Sequence, residues 1–198
     1  MTRPVVAITQ RRDRTGPPYN ETRDALDVRL ADFVQAAGGW PVPVPSGLAP
    51  QDVAAWCAAC NITAVVLSGG GDIGADAARD DMEAALVAHA AVQNLPLLGI
   101  CRGMQMLAHI AGTACQMIDG HVATRHTLNG MGDRTVNSFH NLALMNAPDG
   151  YRILAKTPDG AIEAIRHNTR SWEGWMWHPE RDDALHPDDI ARLKDLIT

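Results

Sequence analysis

The sequence predicts an α/β fold: a doubly wound, mostly parallel sheet flanked by helices, with a small antiparallel strand region in the second half. Three observations predict it. Up to residue 111, short apolar runs alternate with stretches of helical periodicity, the pattern of parallel strands joined by crossover helices. Two of those runs end in glycine-bearing turns, at 68–72 and around residue 101. Beyond them the helical pattern gives way to short strand-like segments broken by turn signals such as Asp149-Gly150 and Asp159-Gly160.

Residues 4–9 (PVVAIT) read as the first strand. Residues 23–37 read as an amphipathic helix, because Leu26, Leu30, Phe33, Val34 and Ala37 recur at helical spacing. Gly38-Gly39 ends it, as glycine does past a helix C-terminus. Residues 40–45 (WPVPVP) are extended, since each proline disfavours helix in the residue before it. A helix over 54–59, a strand over 63–67, a glycine-rich turn at 68–72 and a helix over 80–93 follow. Next come a buried strand at 96–100 and a helix at 102–111. Strands are expected at 114–118, 135–137, 152–156, 161–167 and 174–177, before a closing helix at 187–197. No repeat, low-complexity tract or linker divides the chain, so one domain over 1–198 is expected.

Composition narrows the function. The chain is 46% hydrophobic and 20% charged, ordinary for a globular protein able to bury a core without disulfides. A net charge of -6 and the lack of a basic stripe argue against a nucleic-acid partner. No apolar run approaches the ~20 residues that cross a bilayer, so no membrane partner is expected. The opening residues do not form a secretory leader, so a cytoplasmic location and reduced thiols are expected for Cys57, Cys60, Cys101 and Cys115. Cys57 and Cys60 form a C-x-x-C, but it lies in an alanine-rich helical stretch without further ligands nearby, and reads as two ordinary thiols. His89 and His109 sit in helical patterns, and His121, His126 and His167 in or near loops. No pair of them has metal-ligand spacing with a carboxylate, so neither a metal nor a cofactor is expected. Trp172, Trp175 and Trp177 read as core and pocket wall.

Three segments carry chemistry. In LGICRGMQ, a buried strand meets a helix at Cys101, with glycines two positions to either side. This is the form of a nucleophile elbow. Its sharp turn demands small neighbours, and the helix N-terminus that follows favours a thiolate. In WHPE, His178 and Glu180 lie two apart around a stiffening proline, as a base and the carboxylate that holds its tautomer. In SGGGD, glycines after a strand let backbone N–H groups approach a developing oxyanion, each donor worth ~2.7–4 kcal/mol. Each segment has a bland alternative: a buried structural cysteine, a loop histidine beside a glutamate, a plain strand-to-helix turn.

Together and in this order, LSGGGDI, LGICRGMQML and WMWHPE resemble the class I glutamine amidotransferases. VNSFHN at 136–141 is similar to the substrate-side segment of the standalone γ-glutamyl hydrolase branch, which includes the γ-glutamyl-γ-aminobutyrate hydrolases. The resemblance runs over nearly the whole chain and implies a flavodoxin-like sheet. It implies that Cys101 attacks a γ-glutamyl amide carbonyl, that His178 moves the proton to the leaving nitrogen, and that Glu180 orients His178. A γ-glutamyl thioester then forms, and water releases glutamate. Backbone N–H groups of Gly70, Gly71 and Arg102 would hold the oxyanion, Gln105 would contact the glutamyl group, and Ser138, Phe139 and His140 would line the glutamyl end, mostly through backbone contacts.

The chain is shorter than typical γ-glutamyl-γ-aminobutyrate hydrolases, and Met176 stands where glutamine is common. The opening ITQR and the segment NETRDALD resemble a subset of short hydrolases acting on a γ-glutamyl-linked cytidine diphosphoramidate. In that reading Arg11, Arg12 and Arg14 would meet a nucleotide diphosphate; otherwise 11–22 is a solvated basic loop. The expected partner is thus a small γ-glutamyl substrate. Three alternatives remain open: a glutaminase that passes ammonia to a separate synthase, a non-catalytic binding module on the same fold, and a cysteine peptidase or chaperone-like relative, against which the His178–Glu180 block argues; a homo-oligomer is open as well.

Overall fold

The structure, a computed structural model, describes residues 2–132 and 134–198. Its first half comprises β1 (Val5–Ile8), β2 (Arg11–Arg14), β3 (Thr22–Ala25), α1 (Val28–Ala36), β4 (Trp40–Pro43), α2 (Val53–Ala59), β5 (Ala64–Leu67), α3 (Ala77–Gln93), β6 (Leu97–Ile100) and α4 (Arg102–Ile110). The second half comprises β7 (Gln116–Met117), β8 (Val122–Thr127), β9 (Thr135–Phe139), β10 (Leu142–Ala143), β11 (Tyr151–Lys156), β12 (Ile162–His167), β13 (Trp172–Trp175) and α5 (Pro187–Ile197).

A seven-stranded sheet runs in the order β11-β12-β13-β6-β5-β1-β4. Strands β13, β6, β5, β1 and β4 pair in parallel, and β12 and β11 continue the sheet antiparallel. Strands β5 and β6 are buried at every residue, as expected of parallel strands covered on both faces. The helices pack in two groups, α1 with α5, and α3 with both α2 and α4, as in a doubly wound sheet. The order places β6, β5 and β13 side by side, and the segments leaving their C-terminal ends are those singled out for chemistry. No helix among the described residues is long and apolar enough to cross a membrane.

Several elements depart from the sequence expectation. The helix expected over 23–37 starts at Val28, where Asp27 caps it by accepting the Arg29 N–H at 3.0 Å. The preceding residues form β3, which pairs antiparallel with β2, so residues 11–22 belong to a hairpin rather than a loop. Prolines 41 and 43 fit β4 because it is an edge strand of the sheet. Helix α3 begins ahead of residue 80, with Asp76 accepting the Arg79 N–H. The strand at 114–118 shrinks to β7, and the last strand is Trp172–Trp175 rather than 174–177. Strand β8 has no counterpart in the sequence expectation: five of its six residues are exposed, so it has no apolar alternation to betray it. It pairs with β9 as a hairpin outside the main sheet. Trp175 and Trp177 are stacked in the core, ring centroids 5.2 Å apart, as the core part of the expectation has it.

Candidate active site

Cys101 follows β6 at the first turn of α4, with φ 51° and ψ -106°. A side chain at positive φ is strained there. The neighbouring glycines make the turn sterically feasible. A Cβ on Gly103 would lie 2.2 Å from the Leu67 carbonyl oxygen, and one on Gly99 would lie 2.5 Å from the Gly103 carbonyl carbon. Helix α4 therefore presses directly onto β5 and β6. The Cys101 N–H donates to the Trp175 carbonyl at 2.7 Å, tying the elbow to β13.

His178 and Glu180 follow β13, the strand beside β6. The His178 Nδ1 lies 2.7 Å from Glu180 Oε1, and both side chains are buried. Burial works against a charged imidazole, but hydrogen bonding to Cys101 and Glu180 outweighs it and raises the His178 pKa to about 9. Gly69 completes the contact: a Cβ there would lie 2.6 Å from His178 Cε1 and 3.5 Å from Cys101 Cβ. The structure thus brings Cys101, His178, Glu180 and the glycine turn together. Cys57 and Cys115 are different thiols, each pushed by burial to about 11. Cys57, Cys60, Cys101 and Cys115 are all unpaired thiols.

Gly70 and Gly71 have φ of 90° and 74°. The buried Arg79 guanidinium holds this turn from behind, donating to the carbonyls of Gly70 at 2.5 Å, Ser68 at 3.1 Å and Gly69 at 3.3 Å. With those carbonyls fixed on Arg79, the peptide N–H groups are constrained as well. Arg79 pairs in turn with Glu83 at 2.9 Å. The Arg102 side chain is also buried, on Glu83 and Asp80. Its guanidinium is committed to that network.

The substrate-side segment divides. Phe139 is partly exposed and meets His178 edge-on, with centroids 6.0 Å apart, while the Arg181 guanidinium covers its other side at 4.7 Å. Ser138 is fully buried and donates its hydroxyl to the His121 carbonyl at 2.6 Å. That commits its hydroxyl, so any part it takes in lining the glutamyl end falls to its backbone. Of the His140 ring nitrogens, Nδ1 lies 3.1 Å from the Leu142 carbonyl and Nε2 3.2 Å from Glu163 Oε1. Gln105 is buried and donates to the Leu142 carbonyl at 3.1 Å.

Asn137 has no assigned role in the sequence analysis, although its segment is singled out there. Its amide nitrogen donates to the His178 carbonyl at 2.7 Å, and its amide oxygen accepts the His178 N–H at 3.0 Å. The histidines at 121, 126 and 140 are too scattered along the chain to suggest a common role, yet they meet around Glu163. The signal for both is three-dimensional and has no spacing along the chain.

Two cavities meet at the turn. An inner pocket of 120 Å³ is lined by Gly70, Gly71, Cys101, Arg102, Gln105, Phe139, His140 and His178, among others. An outer cleft of 690 Å³ shares Gly70, Gly71, Asp72 and Arg102 with it and adds Arg11, Arg12, Asp13, Arg14, Asp76 and Arg79. Arg11 is paired with Asp13 at 2.9 Å, and Arg12 donates to Ser46 at 2.5 Å and Asp76 at 3.2 Å. Arg14 is exposed.

A peptidase C26 family model matches residues 4–134 and 121–180. The γ-glutamyl-CDP-amidate hydrolase of Campylobacter jejuni is 33% identical over 137 residues, covering 66% of this chain and 68% of that protein. A GMP synthase (glutamine-hydrolysing) of Thermobifida fusca is 30% identical over 96 residues, 43% of this chain but 18% of that protein. Among solved structures, a Thermoplasma acidophilum protein described as one of the subunits of a GMP synthase superposes with a TM-score of 0.71 at 19% identity, over 100% of this chain and 94% of that one. That likeness is one of fold.

Proposed function

The chain belongs to the peptidase C26 family, and from that premise we propose that it hydrolyses a γ-glutamyl amide through a cysteine thioester, with residues 1–198 acting as one catalytic unit. The observation that carries this reading is the buried array of Cys101, His178 and Glu180 at the mouth of adjacent strands. In it, the Cys101 thiolate attacks the γ-carbonyl. The backbone N–H groups of Gly70, Gly71 and Arg102 receive the oxyanion, which in such sites lowers the barrier by ~2.7–4 kcal/mol per donor. His178, held as imidazolium by Glu180, gives its proton to the leaving nitrogen. It then takes a proton from water, which attacks the thioester and frees glutamate.

The two cavities support a division of labour. The 120 Å³ pocket suits the glutamyl group, and the 690 Å³ cleft suits a larger leaving group. Its arginines favour an anion. That agrees with a γ-glutamyl phosphoramidate of a nucleotide, the type of substrate named for the C. jejuni relative. Arg14, the exposed one of the three arginines of β2, is the residue best placed to meet it.

Glutamate release from glutamine, γ-glutamyl-γ-aminobutyrate, other γ-glutamyl amines and a γ-glutamyl cytidine diphosphoramidate tests the proposal. Preferential turnover of the last supports the nucleotide reading. Turnover of glutamine alone, rising on addition of a synthase, would replace it with a glutaminase that serves that synthase. Release of glutamate from none, with Cys101 inert to alkylation, would leave a binding module.

A further inference from the structure

One ligand-type atom from each of His121, His126, His140 and Glu163 lies within 4.8 Å of all the others. His140 Nε2 and His126 Nε2 approach Glu163 Oε1 to 3.2 and 3.3 Å. His121 Nδ1 lies 3.4 Å from His140 Nε2 and 3.9 Å from Glu163 Oε1. His121, His140 and Glu163 are buried, and His126 lies at the edge, its side chain 14% exposed.

The outer hydrogen bonds fix which atoms face inward. His121 Nε2 lies 2.9 Å from Asp159 Oδ2, and His140 Nδ1 lies 3.1 Å from the Leu142 carbonyl. A carboxylate and a carbonyl accept, so both of these ring nitrogens donate. In a neutral imidazole the opposite nitrogen is then a bare lone pair. His121 Nδ1 and His140 Nε2 are those nitrogens, and they face each other and a carboxylate. His126 Nε2 and Glu163 Oε2, also buried, make no hydrogen bond. Acceptors therefore converge on one point, an unfavourable arrangement in a dry interior unless a cation takes the lone pairs. A proton would serve one pair and leave the other atoms unsatisfied. A tetrahedral ion with ligands at ~2.0–2.1 Å separates its ligand atoms by about 3.3 Å, close to the 3.2, 3.3 and 3.4 Å contacts here, and a small inward shift would bring in the pairs at 3.9 Å and beyond.

We propose that His121 Nδ1, His126 Nε2, His140 Nε2 and a Glu163 carboxylate oxygen form a metal site for a divalent transition ion, zinc by its donor set. Three imidazoles and one carboxylate suit zinc better than the all-oxygen shells of calcium or magnesium. Four protein ligands close the coordination sphere, which makes the site structural. Asp159 and the Leu142 carbonyl orient the two inner imidazoles, as outer partners do in zinc proteins. The ion would bolt the β8–β9 hairpin to β12, because His126 lies in β8, His121 and His140 flank the hairpin, and Glu163 lies in β12. It would thereby brace Phe139 beside His178.

The test is to load the purified full-length protein with zinc, remove the excess, and count bound metal by mass spectrometry. Cobalt(II) absorption then reports the coordination geometry. About one equivalent of zinc and a four-coordinate cobalt spectrum are expected. His126→Ala, at the edge of the cluster, and Glu163→Gln should each lose the ion. Asp159→Ala should weaken zinc binding about 10- to 100-fold. Cys101→Ala should keep it, which excludes zinc held by Cys101 and His178. Circular dichroism verifies that each variant is folded, and the His126 and Asp159 variants decide if Glu163→Gln is not. No retained zinc in the parent, or full retention in the folded His126 variant, would overturn the proposal.

Discussion

Asn137 grips the backbone of His178 from both sides, donating to its carbonyl at 2.7 Å and accepting its N–H at 3.0 Å. The grip crosses from the β8–β9 hairpin to the segment after β13. It fixes the backbone of the candidate base while Glu180 fixes its ring.

Asn137→Ala should therefore lower kcat with little change in KM. Losing two buried hydrogen bonds worth ~1–3 kcal/mol predicts a fall of about 10- to 100-fold. Asn137→Asp keeps the acceptor but sets a carboxylate oxygen against the His178 carbonyl and the Asp182 carboxylate, 3.2 Å from the present amide nitrogen, and should not recover the rate. Steady-state kinetics on the preferred γ-glutamyl substrate, with thermal melting as a fold control, checks this. Equal activity in Asn137→Ala would mean that His178 is positioned without it.

Cys101→Ala should abolish glutamate release, and residual turnover within about tenfold of the parent would remove the nucleophile assignment. Stability adds an independent readout. Because Cys101 sits at φ 51°, Cys101→Gly should melt higher than Cys101→Ala, by ~1 kcal/mol of relieved strain.

Gly69→Ala should produce a folded but nearly inactive protein, because the added methyl group would lie 2.6 Å from His178 Cε1 and displace the ring. Loss of kcat with a retained circular dichroism spectrum is the expected result.

The pH profile follows from His178, whose pKa is raised to about 9. A raised value means that the folded protein favours the imidazolium, so the charged base is present below pH 9 and lost above it. The rate should fall on the alkaline side with an apparent pKa near 9. The stabilisation from the charged histidine should be complete below its unfolded value of ~6.5 and disappear as pH rises through about 9. In Glu180→Gln the alkaline limb should move to lower pH. A limb unmoved by that substitution would assign it to another group.

Arg14→Ala should raise KM for a γ-glutamyl nucleotide diphosphoramidate about tenfold, the effect of one charge-assisted hydrogen bond of ~1.4 kcal/mol, and leave KM for glutamine unchanged. Arg11 and Arg12 are poorer probes, since their side chains also hold Asp13, Ser46 and Asp76. An unchanged KM for both substrates would take Arg14 out of the substrate cleft.

What could be read in the sequence was whatever is written in local pattern. The buried strands β1, β5 and β6 are short apolar runs, and the elbow at Cys101 needs glycines at fixed offsets, so both were visible. The β2–β3 hairpin was hidden because Leu26 extends the apolar rhythm of α1 backwards past its Asp27 cap. Strand β8 was hidden because most of its residues face solvent. Alternation along β9 says that the side chains of Ser138 and Phe139 face opposite ways, but not which of them lies beside His178. The convergence of His121, His126 and His140 on Glu163 depends on how the hairpin lies against β12, and no local pattern encodes that.

Cys101 and His178 leave the ends of neighbouring parallel strands, with Trp175 aligned to Ile100 across the ladder. Their separation is therefore inherited from the spacing of strands in a sheet, ~4.8 Å, and not from the long stretch of chain between them. Outer loops could lengthen, shorten or be rebuilt while the candidate nucleophile and base stay at the same distance. Substrate range can drift without retuning the reaction.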